Sequence, residues 1–300
     1  MSSATLTAEC VVPCQNALGE SVFWSVATRA VCWIDGVEPT LWQWQADSGE
    51  YGSKRIDVPA PLGMIAATSD PQILVMAHRA GVALHDLRSG QQQPIADPEC
   101  GRAAIGYNDA KVDPSGTLWL GTYDDSESEP RGCLWRLEHG HAPRLAESGV
   151  AVFNGPAFSP DGRVIYVSDS IGRRILAYNI DERVLSGRRV FVQLAPEEGL
   201  PDGLTVDSEG GLWCAHWDGG CVTRYAPTGQ RLSRISVPAP RVTSVAFGGA
   251  ALETLYITTA RYGLSAEQLA HAPLAGALFA ARPGVCGIAP TLLPMPFSCP

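Results

Sequence analysis

The sequence predicts an all-β fold, a six-bladed β-propeller with four-stranded blades around a central channel. Two observations lead to this prediction. With 31 Gly and 23 Pro the chain is interrupted too often for a helical bundle, while 45% hydrophobic residues are too many for a disordered chain. Short apolar runs also recur six times, and their centres follow one another at steps of 41 to 47 residues. A period in the forties with several strands per unit is typical of propeller blades, so we expect one closed domain over residues 1–300.

Each blade can be traced from its most hydrophobic strand. The six centres of these strands are Trp33, Leu74, Trp119, Tyr166, Trp213 and Tyr256. In blades 3 to 5 a four-residue turn ending in Gly precedes the centre, at residues 113–116, 159–162 and 207–210, as expected for a hairpin. Before the turn lies a short apolar run, which we predict to be the strand that lines the channel. After the centre comes a third strand of alternating pattern.

The two ends of the chain are predicted to close the ring. An open ring would leave exposed strand edges, which folded proteins avoid. We expect a strand at residues 8–12 to pair with the carboxy-terminal strands at residues 276–281.

Composition and charge exclude several classes of partner. The net charge of −9 argues against nucleic acid and anionic membranes, since both require clusters of Lys and Arg. The sequence contains no run of 18 consecutive apolar residues, so no membrane span is predicted. The first residues lack the pattern of an export signal. The nine cysteines fit neither a zinc ribbon nor a disulfide framework. We therefore expect a cytoplasmic monomer or small homo-oligomer that acts on a small molecule and keeps its cysteines as small hydrophobes.

Chemistry is expected just before each channel-lining strand, at one mouth of the channel. The equivalent positions in the six blades are Glu20, Gly63, Asn108, Asn154, Asp202 and Thr243. Four of the six carry carboxylate or amide oxygens. Asn and Asp are also common turn residues, but two carboxylates that face each other without a cation repel. A hard divalent cation removes this conflict, so the ring predicts a metal site.

The ordered motifs resemble the senescence-marker-protein/gluconolactonase family, which includes regucalcin and sugar lactonases. The resemblance extends from about Leu18 to about Phe279. The segments that carry it include residues 17–24, 107–116, 154–162, 201–207 and 236–249. It implies a lactonase of the gluconolactonase type, which opens a pentono- or hexonolactone to its aldonic acid in sugar catabolism.

The resemblance also implies roles for single residues. Glu20, Asn154 and Asp202 match the metal ligands of the family, and the ion could be Ca, Zn, Mn, Mg or Fe(II). Asn108 matches a substrate-contacting residue, and both Asn108 and the adjacent Asp109 are expected to bind sugar hydroxyls. The family usually has Arg at the position of Gly106. We therefore expect a pocket without that cation, which takes neutral aldonolactones, with residues 124–127 as further candidate contacts.

Lactone hydrolysis requires a polarised carbonyl group and an activated water, and Asp202 is the expected general base. The sequence has no G-x-S-x-G motif for a serine nucleophile. The pair His139 and His141 is expected in a solvated turn. Two alternatives stay open: a metal-dependent arylesterase or phosphotriesterase of the paraoxonase kind, and a non-catalytic propeller that binds partner proteins.

Overall fold

The computed structural model of the protein describes residues 6–300. Residues 1–5 lie outside the described residues. The prediction that the chain lacks an export signal rests partly on them. Within the described range, 24 strands form six sheets, and a short strand, β1 (Leu6–Thr7), is added to one of them. The predicted six-bladed β-propeller is confirmed. Helical structure in the same range is limited to α1 (Ala266–His271) and one turn of 3-10 helix at Pro196–Glu198.

Each blade is a four-stranded antiparallel sheet whose first strand lies innermost. Blade 1 contains β3 (Gly19–Ser25), β4 (Ala30–Asp35), β5 (Thr40–Gln45) and β6 (Tyr51–Arg55). Blade 2 contains β7 (Leu62–Ala67), β8 (Ile73–His78), β9 (Gly81–Asp86) and β10 (Gln92–Ala96). Blade 3 contains β11 (Ile105–Val112), β12 (Leu118–Asp124), β13 (Gly132–Leu137) and β14 (Arg144–Val150).

The remaining blades follow the same order. Blade 4 contains β15 (Phe153–Phe158), β16 (Val164–Asp169), β17 (Arg174–Asp181) and β18 (Val184–Gln193). Blade 5 contains β19 (Leu200–Val206), β20 (Leu212–Trp217), β21 (Cys221–Tyr225) and β22 (Arg231–Ser236), and β1 pairs with β22 in parallel. Blade 6 contains β23 (Arg241–Gly248), β24 (Thr254–Ala260), β25 (Leu278–Ala281) and β2 (Glu9–Val12).

Blade 6 confirms the predicted closure of the ring. Its outermost strand, β2, comes from the amino-terminal end of the chain and pairs antiparallel with β25, with Cys10 opposite Phe279. The inner strands β3 and β23 also contact each other, so the ring is closed at the channel as well. Val12 and Phe279 are fully buried, and this closure is therefore part of the hydrophobic core.

The central strand of each blade supplies the core between neighbouring sheets. Trp33, Trp119 and Trp213 are at most 1% exposed, which confirms their expected role in packing. The indole Nε1 of Trp119 donates to Asp113 Oδ2 at 2.8 Å, and that of Trp213 donates to Asp207 Oδ2 at 2.8 Å. The carboxylate in the predicted turn thus satisfies the one polar atom of the buried indole.

The carboxy-terminal tail, residues 282–300, crosses the mouth of the channel opposite the predicted site, and the sequence analysis did not anticipate it. Leu293 forms a bridge with Thr68 of blade 2, and Gly287 forms one with Asp207 of blade 5. Residues 288–291 line the channel from this side. Leu293 and Phe297 are buried in the core of blades 2 and 3, so these two side chains anchor the tail.

All nine cysteines are free. Five of them are buried, as expected of small hydrophobes, whereas Cys100 and Cys286 are exposed. Within residues 6–300, no helix has the length and apolar character required to cross a membrane.

Candidate active site

Every inner strand contains a β-bulge at the position where the sequence predicts chemistry. The register shifts between Glu20 and Phe23 in β3, between Tyr107 and Ala110 in β11, and between Pro201 and Leu204 in β19, with equivalent shifts in β7, β15 and β23. A bulge bends its strand and redirects the side chains beside it. The six bulges therefore place the predicted ring of residues at one level of the channel.

Five of the six ring positions form the floor of a cavity of about 720 Å³, here called the outer cavity, whereas Thr243 is fully buried and does not line it. Glu20, Asn108, Asn154 and Asp202 all line it, as the sequence predicts. The ring position of blade 2 carries no side chain because a Cβ at Gly63 would lie 2.1 Å from the Tyr107 carbonyl oxygen of blade 3.

Glu20 is held by an unusual backbone at the next residue. Ser21 has a φ of 56°, in the left-handed region that residues other than glycine rarely adopt. Its hydroxyl donates to the Ile65 carbonyl at 3.1 Å and accepts from the Ile65 N–H at 3.0 Å, which fixes blade 1 to blade 2. The Ser21 N–H donates to Glu20 Oε2 at 3.1 Å. Ser21 thus positions Glu20, and because its hydroxyl is bonded to the Ile65 backbone, it is a poor nucleophile.

Asp202 is a buried carboxylate with an unsatisfied oxygen. It is 5% exposed, and among the described residues its Oδ1 has no hydrogen-bond partner. Burial raises the pKa of Asp202 well above its usual range, and the charges of Asp109 and Glu127 raise it further. Burial likewise raises the pKa of Glu20, with added repulsion from Asp202 and Asp109.

The strand that carries Asp202 is anchored to blade 4 by two serines that the sequence analysis did not single out as site residues. Ser168 Oγ donates to the Asp202 carbonyl at 2.7 Å, and Ser170 Oγ donates to the Pro201 carbonyl at 2.8 Å. Ser170 Oγ also accepts from Asn154 Nδ2 at 3.2 Å. Ser170 therefore joins Asn154 to the backbone beside Asp202.

Asn108 and Asn154 are bonded to each other across blades 3 and 4. Asn108 Nδ2 donates to Asn154 Oδ1 at 2.7 Å and to the Phe153 carbonyl at 2.8 Å. The Oδ1 of Asn108 remains available to the cavity, since no described residue donates to it.

Asp109 lies in a different place from Asn108. It is not part of the outer cavity but lines a smaller inner cavity of about 150 Å³, together with Lys111 and the tail. Burial raises the pKa of Asp109 to about 7, while the nearby charge of Lys111 opposes the shift. Lys111 Nζ donates to the Leu204 carbonyl at 2.7 Å. Lys111 thus places a positive charge near Asp109 beneath the ring, while its ammonium group is bonded to a backbone carbonyl.

The walls of the outer cavity include residues that no spacing in the sequence indicates. They are Arg79, Tyr123, Trp217, Arg241 and Tyr262. Arg79 Nη2 lies 2.9 Å from Asp125 Oδ1, and Arg241 Nε lies 2.8 Å from Asp218 Oδ1. The Arg241 guanidinium also lies over the Trp217 ring, 4.7 Å from its centre. Of the residues predicted in the segment 124–127, Asp125 and Glu127 line the cavity, whereas Asp124 is fully buried against Arg131 and Ser126.

The donor set at the floor of the cavity fits a hard divalent cation. A buried carboxylate oxygen without a partner costs free energy, and so does the mutual repulsion of Glu20 and Asp202. A cation bound to both carboxylates would remove both costs. Within residues 6–300, no three His, Cys, Asp or Glu side chains are grouped for metal binding, so the third ligand would be the amide oxygen of Asn154.

Comparison with known proteins identifies the family of the chain. The family described as "SMP-30/Gluconolactonase/LRE-like region" matches residues 18–261. The chain is 36% identical to a 6-deoxy-6-sulfogluconolactonase of Pseudomonas putida, over 95% of this chain and 98% of that protein. It is 37% identical to an L-arabinolactonase of Azospirillum brasilense, over 92% of this chain and 91% of that protein.

A solved structure shows the same architecture. It is described as regucalcin, a calcium-binding protein, from Agrobacterium tumefaciens, and superposes with a TM-score of 0.90 at 26% identity. The match covers 97% of this chain and 99% of that one. The six blades, the site at one mouth of the channel and the lactonase relatives lead to one assignment. The chain belongs to the SMP-30/gluconolactonase/LRE-like family, and the predicted class of enzyme, a lactonase, is confirmed.

Proposed function

We propose that the protein is a metal-dependent lactonase that hydrolyses a neutral five- or six-carbon sugar lactone to its aldonic acid. The observation that carries the proposal is the unsatisfied Asp202 Oδ1 beside Glu20, at the floor of a cavity large enough for a sugar ring. The named activities of the two lactonase relatives support the reaction class.

Glu20, Asn154 and Asp202 would hold the cation, one ligand from each of blades 1, 4 and 5. When bound, a divalent cation supplies a Lewis acid for the carbonyl group and lowers the pKa of water. Calcium suits oxygen-only ligands, and the solved structure of a calcium-binding relative supports it as the first ion to test.

The residues of the chain provide proton transfer and orientation. Asp202 would accept a proton from the attacking water as the water oxygen bonds to the lactone carbonyl carbon. The bond between that carbon and the ring oxygen then breaks, and the ring oxygen receives the proton as a hydroxyl group. Asn108, with its Nδ2 bonded to Asn154 and Phe153, would accept a hydrogen bond from a sugar hydroxyl through its free Oδ1.

The charges at the cavity wall favour a neutral substrate. Arg79 and Arg241 are the cationic residues lining the cavity within residues 6–300, and each is already paired with a carboxylate. Neither is free to balance a sulfonate or phosphate group. We therefore propose that this chain prefers unsubstituted aldonolactones to a sulfonated one.

Asp109 and Lys111 lie beneath the site, where the positive charge of Lys111 would partly offset the repulsion between Asp109 and the carboxylates of the ring. We also propose the cytoplasm as the compartment, because nine free cysteines are compatible with a reducing environment.

The test is a substrate panel with controlled metal content. The chelated protein is assayed on L-arabinono-, D-xylono- and D-gluconolactone and on phenyl acetate, before and after addition of Ca²⁺, Mn²⁺ or Zn²⁺. We expect hydrolysis of the neutral lactones, loss of activity in EDTA and recovery with metal. A preference for phenyl acetate would favour the arylesterase alternative, and no hydrolysis of any substrate would favour the non-catalytic one.

A further inference from the structure

One wall of the outer cavity contains a cluster of side chains that the proposed chemistry does not use. Arg79, in the turn between β8 and β9 of blade 2, extends to blade 3. There its Nη1 donates to the Ile105 carbonyl at 3.1 Å and its Nη2 to Asp125 Oδ1 at 2.9 Å. Tyr123, on β12, lines the cavity beside this ion pair. The cluster lies next to Gly106. The family resemblance places an arginine at this position, so the glycine predicts a pocket without that positive charge.

Tyr123 occupies the space of the missing side chain. Gly106 and Tyr123 are directly opposite each other in the β11–β12 ladder. A Cβ added at Gly106 would lie 2.3 Å from Tyr123 Cζ and 2.6 Å from its Oη. Gly106 is not among the residues with positive φ, so its backbone accepts any amino acid. The phenol ring lies on the glycine, so any side chain at this position would have to displace the ring.

The hydroxyl of Tyr123 is available for a ligand. Across residues 6–300, no group forms a hydrogen bond with its Oη, and the residue is only partly buried at the cavity wall. Burial raises the pKa of Tyr123, and the positive charge of Arg79 only partly opposes this. The hydroxyl is therefore protonated at neutral pH and can both donate and accept a hydrogen bond.

The ion pair beside the ring limits which ligand groups fit. Because the Arg79 guanidinium is bonded to Asp125 and to the Ile105 carbonyl, it holds the wall in place without offering an unpaired charge. Tyr123 therefore presents a neutral hydroxyl and an aromatic face to the cavity, and the nearby Glu127 carboxylate adds a negative charge, so this wall suits a hydroxyl group on a neutral sugar ring and disfavours an anionic group.

Resting on the proposed function, we propose that Tyr123 is a specificity-determining residue. Its phenol, seated on Gly106 and flanked by the Arg79–Asp125 pair, bonds a hydroxyl of the sugar lactone from the wall where relatives usually place an arginine.

The first test removes only the hydroxyl, in Tyr123→Phe. Loss of one neutral hydrogen bond corresponds to roughly a three- to tenfold rise in KM for the preferred lactone. We expect kcat and the affinity for Ca²⁺ to change less than about twofold, because Glu20, Asn154 and Asp202 lie on other blades. Tyr51→Phe is the matched control, since Tyr51 is exposed on the outer strand β6 of blade 1, away from the outer cavity, and should leave KM unchanged.

The second test uses the steric contact itself. Gly106→Ala adds one carbon atom that must displace the Tyr123 ring, so it should raise KM about as much as Tyr123→Ala does. In the Tyr123→Ala background, Gly106→Ala should cost little more, because the ring it displaces is gone. A deoxy-lactone that lacks the contacted hydroxyl should show no difference between the wild type and Tyr123→Phe.

Clear outcomes would overturn the inference. Unchanged KM values in both Tyr123→Phe and Gly106→Ala, with the wild type active on lactones, would remove the role of Tyr123 and leave the proposed function intact. An equal loss in Tyr51→Phe would attribute the effect to a general change of the protein and not to Tyr123. A wild type that hydrolyses no lactone would instead remove the proposed function, and this inference with it.

Discussion

Asn108 donates a 2.7 Å hydrogen bond from its Nδ2 to Asn154 Oδ1, and this bond joins a residue expected to contact substrate to a residue expected to bind metal. Both lie at β-bulges in neighbouring inner strands. The same Nδ2 also donates to the Phe153 carbonyl at 2.8 Å. The orientation of the Asn154 amide is therefore set by Asn108 on one side and by Ser170 on the other.

This contact predicts a double effect of Asn108→Ala. The variant loses its contact with a sugar hydroxyl, so kcat/KM for the lactone should fall about tenfold or more. It also releases the Asn154 amide, so the affinity for Ca²⁺ should fall severalfold, as measured by calorimetry. Ser168→Ala is a useful comparison, because Ser168 bonds the Asp202 backbone and not the amide. An unchanged Ca²⁺ affinity in Asn108→Ala would show that the two asparagines act independently.

The buried carboxylates predict that Asp202→Asn changes stability in opposite directions with and without metal. In the metal-free protein the variant removes a buried charge that repels Glu20 and Asp109, so its Tm should equal or exceed that of the wild type. The wild type should gain about 2.7 kcal/mol at a metal concentration 100 times Kd, and the variant should lose most of this gain. Thermal unfolding of both proteins in EDTA and in Ca²⁺ measures the difference. A metal-free variant that is clearly less stable than the metal-free wild type would contradict this explanation.

The raised pKa values predict how stability depends on pH. Burial raises the pKa of Glu20 and of Asp202 well above the usual range, and that of Asp109 to about 7. The folded chain thus binds these protons more tightly than the unfolded chain, whose carboxyl groups titrate near about pH 4. Their contribution to stability is complete below that pH and is lost as the pH rises through the raised values.

In EDTA, these groups should therefore stabilise the folded protein less as the pH rises from 5 to 8, and Tm should fall accordingly. Saturating Ca²⁺ should reduce the decline, because protons and metal compete for the same oxygens. Unfolding curves at several pH values, with Asp202→Asn as a control for the size of the effect, measure it. If Tm depends on pH in the same way with and without Ca²⁺, the assignment of these carboxylates as metal ligands is contradicted.

The closure of the ring predicts that the amino-terminal strand is essential for folding. Deletion of residues 1–14 removes β2 and exposes the edge of β25, and with it part of the core that contains Val12. We expect loss of a single cooperative unfolding transition. Phe279→Ala, in the same sheet, should cost about 3–5 kcal/mol, whereas Leu145→Ala on the exposed strand β14 should cost little. A truncated protein that unfolds like the full chain would contradict this role of the strand.

The repeat made much of the architecture predictable from sequence. Because each blade must bury its central strand, the hydrophobic centres recur at nearly equal steps along the chain. Glu20, Asn154 and Asp202 lie at similar distances before these centres, which allowed them to be placed at one level of the channel. The resemblance then added the expected roles. The structure brings all three to the floor of one cavity.

The parts that escaped prediction are those without periodicity. Asn108 and Asp109 are adjacent in sequence, but both lie in the β-bulge of β11, which redirects their side chains, and only Asn108 lines the outer cavity. Arg79 belongs to a short turn, and no spacing in the sequence indicates that it lines the cavity. Its hydrogen-bond partner Ile105 follows 26 residues later in the chain. The contact of Tyr123 with Gly106 depends on strand register, which the sequence analysis did not resolve.

Titration of the chelated protein with Ca²⁺, followed by binding and by hydrolysis of a neutral aldonolactone in the same samples, tests the central claim most directly. For the wild type, Glu20→Gln and Asn154→Ala, we predict that activity rises in proportion to bound metal and that the two variants need more metal to reach it. Asp202→Asn should remain at least tenfold less active when saturated, because it also lacks the base. Full activity of the chelated wild type, or a saturated Asp202→Asn that matches it, would contradict the claim that metal and Asp202 act together at this site.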